Sequence, residues 1–171
     1  GSEEDLRRMA AGLLEGGQEV VHLQAYSFSP LYGWLRDRWG VHWQFLKTDS
    51  PGIRVIPDMM FSGAVNGKAE EALRFYASLL PGSSVDAVSA YGPGEARVEE
   101  ARHEYVLATL GGTAISAVDS PTARDVPFNE GVSIVVHCED QAEIDRLWTA
   151  LSASPNHEAC GWLMDRYGVS W

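Results

Sequence analysis

Four polar side chains have the chemistry for acid–base or metal-dependent reactions. His103 begins a β-branched stretch, His137 lies near the end of another, and His157 and Glu158 are neighbours in a short polar link. An imidazole titrates near neutral pH and is a frequent metal ligand, and a carboxylate can serve beside it. The spacing favours surface or loop positions for all four. As the alternatives, His103, His137 and Glu158 are catalytic candidates, and His103 with His157 or Glu158 is a candidate metal site.

The two cysteines give no metal-binding or redox motif. Cys138 and Cys160 form no CxxC pair and show no Cys/His zinc-finger spacing. We interpret both as buried thiols of a protein in the reducing cytoplasm. The chain opens on Gly1-Ser2, as after removal of a tag, and shows no signal-peptide pattern. The expected location is therefore cytoplasmic, and the chain is expected to be a fragment.

The charge balance excludes two kinds of partner. Thirteen Lys and Arg against 24 Asp and Glu leave a net charge of −11, and the basic residues are scattered rather than clustered. Nucleic acids and anionic membranes are therefore not expected partners. The apolar stretches are too short to cross a bilayer, and 45% hydrophobic residues are typical of a globular protein.

The elements that must position the candidate residues are marked by an internal repeat. Residues 33–43 (GWLRDRWGVHW) and 161–171 (GWLMDRYGVSW) are identical at eight of eleven positions, at an offset of 128 residues. An amphipathic helix pattern precedes each copy at an offset of 138, so ten residues are added in the first copy. These residues lie in GQEVVHLQAYSFSP and predict one additional strand with its turn.

Strand and helix patterns alternate between the two copies in the order βαβββ. The expected elements are a strand over 53–62, a helix over 67–82 and strands over 83–91, 102–110 and 113–118, the last two joined by a Gly111-Gly112 turn. A second, shortened module follows. Its expected elements are a strand over 131–139, a helix over 141–154 and the hairpin 161–171.

These features resemble the vicinal oxygen chelate superfamily of glyoxalases, bleomycin-resistance proteins and dioxygenases, and within it the PhnB-like group labelled 3-demethylubiquinone-9 3-methyltransferase. The resemblance is carried by AEEALRFYASLLPGS (69–83), FNEGVSIVVHCEDQAEID (128–145) and CGWLMDRYGVSW (160–171). It implies an α+β fold in which paired βαβββ modules form a curved mixed sheet around a cavity.

The resemblance also divides the chain. Residues 1–48 are expected to be the C-terminal part of a preceding βαβββ repeat. Residues 49–171 are expected to form a PhnB-like domain with modules at about 53–120 and 131–171.

The superfamily metal is not expected in this chain. In metal-using members, the first strand of each module gives a His or Gln and the last strand gives a Glu. The matching residues here are Pro57 and Ser133 on the first strands and Ser116 on the last strand of module one, while the first copy of the repeat has Gln44 at the final position. Proline and serine do not hold a divalent cation. No cofactor is therefore predicted, with a divalent metal at a rebuilt site as the alternative.

The predicted ligand contacts line the cavity. Ser116 and Ser133 lie on its strands, and Trp162 could stack on a planar ligand. The tryptophans of the repeat are otherwise interpreted as core packing between sheet and helix; they are Trp34, Trp39, Trp43, Trp162 and Trp171.

The repeated Asp-Arg-aromatic-Gly turn also has a structural interpretation. Asp37 and Asp165 are predicted to cap it through backbone amides, and Gly40 and Gly168 to supply positive φ angles.

The resemblance leaves four functions open. The preferred one is a metal-independent protein of the bleomycin-resistance type that binds a small molecule. A metal-dependent lyase or isomerase with a rebuilt site is the second. The methyltransferase label is disfavoured, because the glycine-dense turn YGPGEAR (91–97) leads to another strand and not to the long helix of a cofactor-binding turn. A module that serves assembly is the fourth.

Assembly is predicted from the incomplete first repeat. Residues 1–48 lack the opening strand of their module, which leaves a sheet edge with unpaired backbone groups. We therefore expect a homodimer or a pseudo-dimeric chain with residues 18–48 in the interface.

Overall fold

The first helix shows how the sequence starts an element. In the computed structural model, which describes residues 1–49, 51–123 and 125–171, helix α1 spans Glu3–Leu14. The Ser2 side chain accepts from the Asp5 amide at 3.0 Å, and the Asp5 carboxylate accepts from Ser2 in return. This capping box satisfies amides that have no partner within the helix.

The chain divides into two compact units, residues 1–55 and residues 56–171.

Unit 1 consists of α1 and a three-stranded antiparallel sheet. The strands are β1 (Gln18–Tyr26), β2 (Ser29–Arg36) and β3 (His42–Leu46), in the order β1-β2-β3. Strand β1 confirms the additional strand that the ten extra residues predict. The helix and one face of the sheet share a small core of Leu6, Ala10, Leu31, Leu35 and Phe45.

Unit 2 begins with a complete βαβββ module. Its elements are β4 (Asp58–Phe61), α2 (Ala69–Leu79), β5 (Ser84–Ala90), β6 (His103–Leu110) and β7 (Thr113–Asp119). The sheet order is β4-β7-β6-β5, with β4 parallel to β7 and the other pairs antiparallel. Gly111 and Gly112 have φ angles of 52° and 85°, as a two-residue hairpin turn requires. The α+β class and the mixed sheet are confirmed.

The first strand of this module is shorter than expected. The predicted strand 53–62 is reduced to β4, because Pro57 has no amide to donate and only its carbonyl accepts, from Ser116 at 2.9 Å. Upstream of it, Ile53 and Val55 are exposed rather than packed in a sheet.

The shortened second module has one helix and only isolated β-bridges among its described residues. Helix α3 spans Gln141–Leu151, and its N-cap Asp140 accepts from the Glu143 amide at 2.9 Å. The predicted strand over 131–139 is wrong. Within the described residues that segment makes one parallel bridge, between Ser133 and Ser170, and its Val132 and Val135 are exposed. The apolar pattern of a strand is present, but among the described residues only Ser170 pairs with this segment.

One core joins the two modules of unit 2. Phe61, Leu73, Tyr76 and Val106 are fully buried in the first module. The second module contributes Leu147, Leu151, Leu163 and Val169 to the same cluster. Helix α2 therefore packs both on its own sheet and on the second module.

The first copy of the repeat folds as an Asp-centred hairpin. Asp37 Oδ1 accepts from the amides of Trp39 and Val41, both at 2.9 Å, and Oδ2 accepts from Trp43 Nε1 at 3.0 Å. Gly40 has a φ of 90°. The predicted roles of the aspartate and of the glycine are confirmed.

The second copy repeats this geometry. Asp165 Oδ1 accepts from the amides of Tyr167 at 2.8 Å and Val169 at 3.0 Å, and Oδ2 accepts from Trp171 Nε1 at 2.9 Å. Gly168 has a φ of 84°. The sequence identity of the two segments therefore preserves one hydrogen-bonded turn.

The tryptophans of the repeat do not all fill the core. Trp171 is buried, but Trp39 is 73% exposed and Trp162 is 46% exposed, so core packing is wrong for these two. Successive residues of a strand point to opposite faces. Because Leu163 faces the core, its neighbour Trp162 faces away from it.

Candidate functional site

The candidate site is the face of the four-stranded sheet that lies away from α2, which we call the open face. Alternate residues face α2 and pack in the core, such as Met59 and Ala117. Their neighbours therefore face the other side. The sheet register aligns Asp58 with Ser116, Met60 with Val118, and Leu107 with Ser116.

A carboxyl–hydroxyl pair is the polar centre of the open face. Ser116 Oγ donates a short hydrogen bond to Asp58 Oδ1 across the β4–β7 pair. Although Asp58 is accessible to solvent, desolvation by the surrounding protein raises the pKa of its carboxyl, and the bond from Ser116 opposes this rise. Ser116 is a predicted ligand contact, whereas Asp58 is not among the residues predicted from the sequence. Its signal was the alternation with Met59 and Phe61, which places Asp58 on the face opposite the core.

Shifted carboxyl pKa values are a property of many binding and catalytic sites. The direction of the pKa shift of Asp58 predicts whether replacing this carboxyl raises or lowers the stability of the protein. A carboxyl whose folded-state pKa is raised contributes to stability only below its unfolded pKa of about 3.9, and this contribution is lost as the pH rises through the folded value. We expect Asp58→Asn to be more stable than the parent at pH 7, with a difference that vanishes near pH 4. Urea unfolding across this pH range measures it.

Asp86 provides the matched control. It also accepts from hydroxyls of this sheet, Ser84 at 2.5 Å and Thr109 at 2.7 Å, and these hydrogen bonds lower the pKa of its carboxyl. Asp86→Asn is expected to lose stability at pH 7. If both variants moved the unfolding midpoint in the same direction, the assigned environment of Asp58 would be wrong.

His103 lies on the helix side of the sheet. Its Nδ1 is 3.1 Å from Asp119 Oδ2, its Nε2 is 2.9 Å from Glu70 Oε2, and its side chain is 13% exposed. A surface position is the expectation for His103, but its side chain is half-buried between two carboxylates. Because both ring nitrogens face carboxylates of this chain, the imidazole connects α2 to the end of β7.

Asp119 is the buried anchor of this connection. Its Oδ1 accepts from the amides of Gly67 and Ala69 at the start of α2, at 2.9 and 3.0 Å. Its Oδ2 accepts from the amides of Arg102 and His103 at 3.2 and 2.9 Å. A carboxylate at a helix N-terminus satisfies free amides and interacts favourably with the helix dipole.

The candidates of the second module lie apart from the Asp58–Ser116 pair in sequence and environment. Ser133 is half-buried at its bridge to Ser170. His137, an even number of residues further along the same extended segment, is exposed. On the opposite side, Ile134, Val136 and Cys138 pack against the core. A shared face for Ser133 and His137 therefore agrees with the burial pattern, and their role in binding stays a prediction, as does that of Trp162.

His157 and Glu158 have local partners. His157 Nδ1 is 2.9 Å from Ser154 Oγ, and Glu158 accepts a short hydrogen bond from Ser152. His103 has the different environment described above, so the structure does not bring the three candidate metal ligands together.

The cysteines differ from each other. Cys138 is half-buried, and desolvation raises the pKa of its thiol, which favours the unreactive protonated form. Cys160 is exposed, so its interpretation as a buried thiol is wrong. It lies in the turn before the second hairpin with a φ of 54°.

The residues at the superfamily's metal positions do not fit a divalent cation. Pro57 offers only a carbonyl, which Ser116 uses, and the Ser116 hydroxyl is bonded to Asp58. Ser133 offers one hydroxyl. Within the described ranges, no group of three or more His, Cys, Asp or Glu side chains could hold a metal ion. We therefore derive no step through a metal.

Two cavities in unit 1 contain none of the predicted site residues. One is an open surface region among the charged side chains Glu3, Glu4, Arg7 and Arg8. The other, of about 270 Å³, lies between α1 and the strands β1 and β2. The first is bordered by solvated charges on the outside of a helix and gives no reason to prefer it over the open face.

The fold is that of the glyoxalase/bleomycin-resistance class. A βαβββ module with a mixed sheet and a shortened second module are its features here. The chain belongs to the family named 3-demethylubiquinone-9 3-methyltransferase, whose model matches residues 53–171. No curated protein matches the chain.

Solved structures support this assignment. The PhnB protein from Bacillus cereus, which bears the name of a 3-demethylubiquinone-9 3-methyltransferase, is 31% identical; the match covers 70% of this chain and 96% of that one, with a TM-score of 0.57. A protein from Pseudomonas aeruginosa is 24% identical, with a coverage of 70% and 95% and a TM-score of 0.53, which shows the fold alone. Among the described residues, no helix is long and apolar enough to span a membrane.

Proposed function

We propose that this chain binds a small molecule on the open face of unit 2 without a metal ion. The observation that supports this most is the Asp58–Ser116 pair, one polar centre on a face that otherwise carries Met60, Leu107 and Val118. Ligand sites are mostly apolar with a few well-placed polar groups that orient the ligand. A buried serine that holds the carboxyl in place supplies this orientation.

The chemistry of the pair selects the ligand class. The Ser116 hydroxyl hydrogen is used in the bond to Asp58, so the pair presents mainly acceptor oxygens to a ligand. A ligand that donates, above all a protonated amine, relieves the desolvation that raises the pKa of Asp58. The apolar neighbours, with an adaptable methionine among them, suit a compact apolar body. We therefore propose a small apolar amine or another hydrogen-bond donor as the ligand.

A binding series tests this proposal. Benzylamine, benzyl alcohol and benzoate have the same ring and differ in charge, and their binding to the full chain can be measured by ligand-observed NMR. We expect benzylamine to bind best and benzoate worst. Asp58→Asn should weaken benzylamine binding by about tenfold or more, equivalent to about 1.4 kcal/mol. Asp86→Asn at the opposite edge of the sheet should leave it unchanged.

Three results would count against the proposal. They are the absence of saturable binding by the series, equal binding by the Asp58→Asn variant, and loss of binding after treatment with a chelator. The last of these would favour the metal-dependent lyase or isomerase.

The methyl transfer in the family's name has no support in the local structure. Residues 91–97 lead through turns into β6 rather than into a helix. At the glycine-containing turn between β4 and α2, the Asp119 carboxylate already occupies the amides of Gly67 and Ala69. An anionic or ribose-bearing cofactor would have to displace a buried carboxylate there. We do not propose that reaction for this chain.

A further inference from the structure

The second hairpin shows how its tip is covered by a helix. Tyr76 of α2 donates to Asp165 Oδ2 at 2.6 Å, and the Tyr167 hydroxyl donates to Glu71 Oε1 at 3.0 Å. The Arg166 guanidinium lies over the Phe75 ring at 3.8 Å from its centroid. A helix face with Glu, Phe and Tyr at positions i, i+4 and i+5 therefore seals this tip.

The first hairpin has the same turn, but in the described part of unit 1 no helix covers its tip. Trp39 takes the place of Tyr167 and is 73% exposed, whereas Tyr167 is 5% exposed. Val41 is 49% exposed, and its equivalent Val169 is 5% exposed. The apolar side chains that unit 2 buries beneath α2 are in contact with solvent in unit 1.

The first tip also carries the two charged residues that contact α2 in the second tip, since Asp37 and Arg38 are equivalent to Asp165 and Arg166. Asp37 Oδ2 accepts from Trp43 Nε1 at 3.0 Å, which reproduces the bond from Trp171 to Asp165. Within the described parts of the chain, no tyrosine donates to Asp37 as Tyr76 does to Asp165. Arg38 lies over the ring of Trp39, 4.6 Å from its centroid, as Arg166 lies over the ring of Tyr167 at 5.2 Å. Arg166 additionally covers Phe75 of α2.

We propose that the tip of the first hairpin, residues 37–41, is a docking surface for an amphipathic helix with the Glu-x-x-x-Phe-Tyr face of α2. The tyrosine donates to Asp37 Oδ2, the phenylalanine lies beneath Arg38, and the glutamate accepts from the Trp39 indole. The support is the matched surface within the same chain, where every equivalent group has this partner.

Helix α2 of a second, folded copy of the chain cannot be the docking helix. A phenol has one hydrogen to donate, and that of Tyr76 is used by Asp165. Phe75 and Tyr76 also lie against the hairpin of their own unit, with Tyr76 0% exposed. The helix must therefore come from another βα element with the same face.

A stapled peptide with the sequence of residues 67–82 tests this directly. Glu70 and Arg74 pair at i, i+4 outside the Glu71-Phe75-Tyr76 face, so Arg74→Lys in the peptide allows a lactam to Glu70 that holds the helix. Its binding to the full chain is measured by anisotropy of a dye at its N-terminus. Saturable binding is expected, and Trp39→Asp or Val41→Asp in the protein should weaken it by about tenfold or more.

Two controls separate docking from general stickiness. Phe28→Asp removes another exposed aromatic side chain of unit 1, 65% exposed, and should leave binding unchanged. Tyr76→Phe in the peptide deletes the hydroxyl and should weaken binding severalfold, as should Asp37→Asn in the protein.

Four outcomes would overturn the proposal. The first is no saturable binding up to about 1 mM peptide. The second is equal weakening by Phe28→Asp. The third is binding that responds to Asp165→Asn but not to Asp37→Asn, which would mean displacement of α2 in unit 2. The fourth is a dimer in light scattering that Trp39→Asp dissociates, which would make a second copy the occupant.

Discussion

Asp165→Ala is expected to lower the free energy of unfolding of unit 2 by about 3–5 kcal/mol, because it leaves several buried donors without an acceptor. Asp165 is 3% exposed and accepts from four groups. These are the amides of Tyr167 and Val169, the Trp171 indole and the Tyr76 hydroxyl, at 2.6–3.0 Å. Alanine provides no acceptor, and the closed hairpin admits no water in its place without loosening.

Removing the Tyr76 hydroxyl, one of the four donors to Asp165, tests the same prediction. Tyr76→Phe retains the ring contact with Trp171, at 4.9 Å between centroids, and removes only the hydroxyl. We expect a loss of about 1–3 kcal/mol, since one charge-assisted hydrogen bond is deleted. Burial, together with the Asp165 charge, raises the pKa of Tyr76 far above its ordinary value, so its hydroxyl remains a donor throughout the pH range of the measurement.

The duplicated hairpin offers the matched control. Asp37→Ala removes the same two backbone bonds and the same indole bond. Among the residues that the structure describes, this hairpin has no equivalent of the Tyr76 bond or of the covering helix. The effect of Asp37→Ala should be smaller than that of Asp165→Ala and confined to unit 1. Urea unfolding followed by circular dichroism measures both. A loss below about 1 kcal/mol for Asp165→Ala would show that the hairpin does not depend on this carboxylate.

Local patterns were sufficient for the elements that local contacts determine. The Asp-Arg-aromatic-Gly turns, the Gly111-Gly112 hairpin and the helices α1, α2 and α3 need only residues that are close in sequence. The strand over 131–139 failed for the opposite reason. Its apolar residues are those of a strand, but a strand exists only with a paired neighbour. In the described part of the chain, Ser170 is the one residue that pairs with it.

The residues that were missed depend on distant partners. Asp58 acquires its environment from Ser116, which is 58 positions away in sequence, and Asp119 from amides 50 and 52 positions away. Asp119 directly follows the predicted strand 113–118 and was not among the candidate residues. Its phase with Ile115 and Ala117 was the available signal, because period-two alternation places it on the buried face of β7.

The burial of the aromatic residues in the repeat also depends on distant partners. Trp39 and Tyr167 occupy equivalent positions of the repeat, yet one is exposed and the other buried. The difference arises from the presence of α2 above the second copy, which no feature of the eleven repeated residues encodes. Aromatic character therefore predicted a need for cover but not whether the cover is present.

The second large effect is expected for Asp119→Asn, which should lower the free energy of unfolding of unit 2 by about 2–4 kcal/mol. Asparagine has the same shape, but one of its two terminal atoms donates. Asp119 faces donors on both sides, the amides of Gly67 and Ala69 on one and those of Arg102 and His103 on the other. Whichever way the amide is turned, its NH₂ group meets amide donors, and at least two buried bonds are replaced by repulsion.

Glu70→Gln distinguishes this anchor from its exposed neighbour. Glu70 contacts the other nitrogen of His103 at 2.9 Å, but its side chain is 29% exposed and it also pairs with Arg74. The hydrogen bond from Arg74 is the largest cause of its lowered pKa, so its contribution exists above the unfolded pKa and is lost on acidification. A solvated pair of this kind contributes about 1 kcal/mol or less. Equal losses for Asp119→Asn and Glu70→Gln at pH 7 would show that the amide bonds of Asp119 stabilise the connection of α2 to β7 no more than the His103–Glu70 contact does.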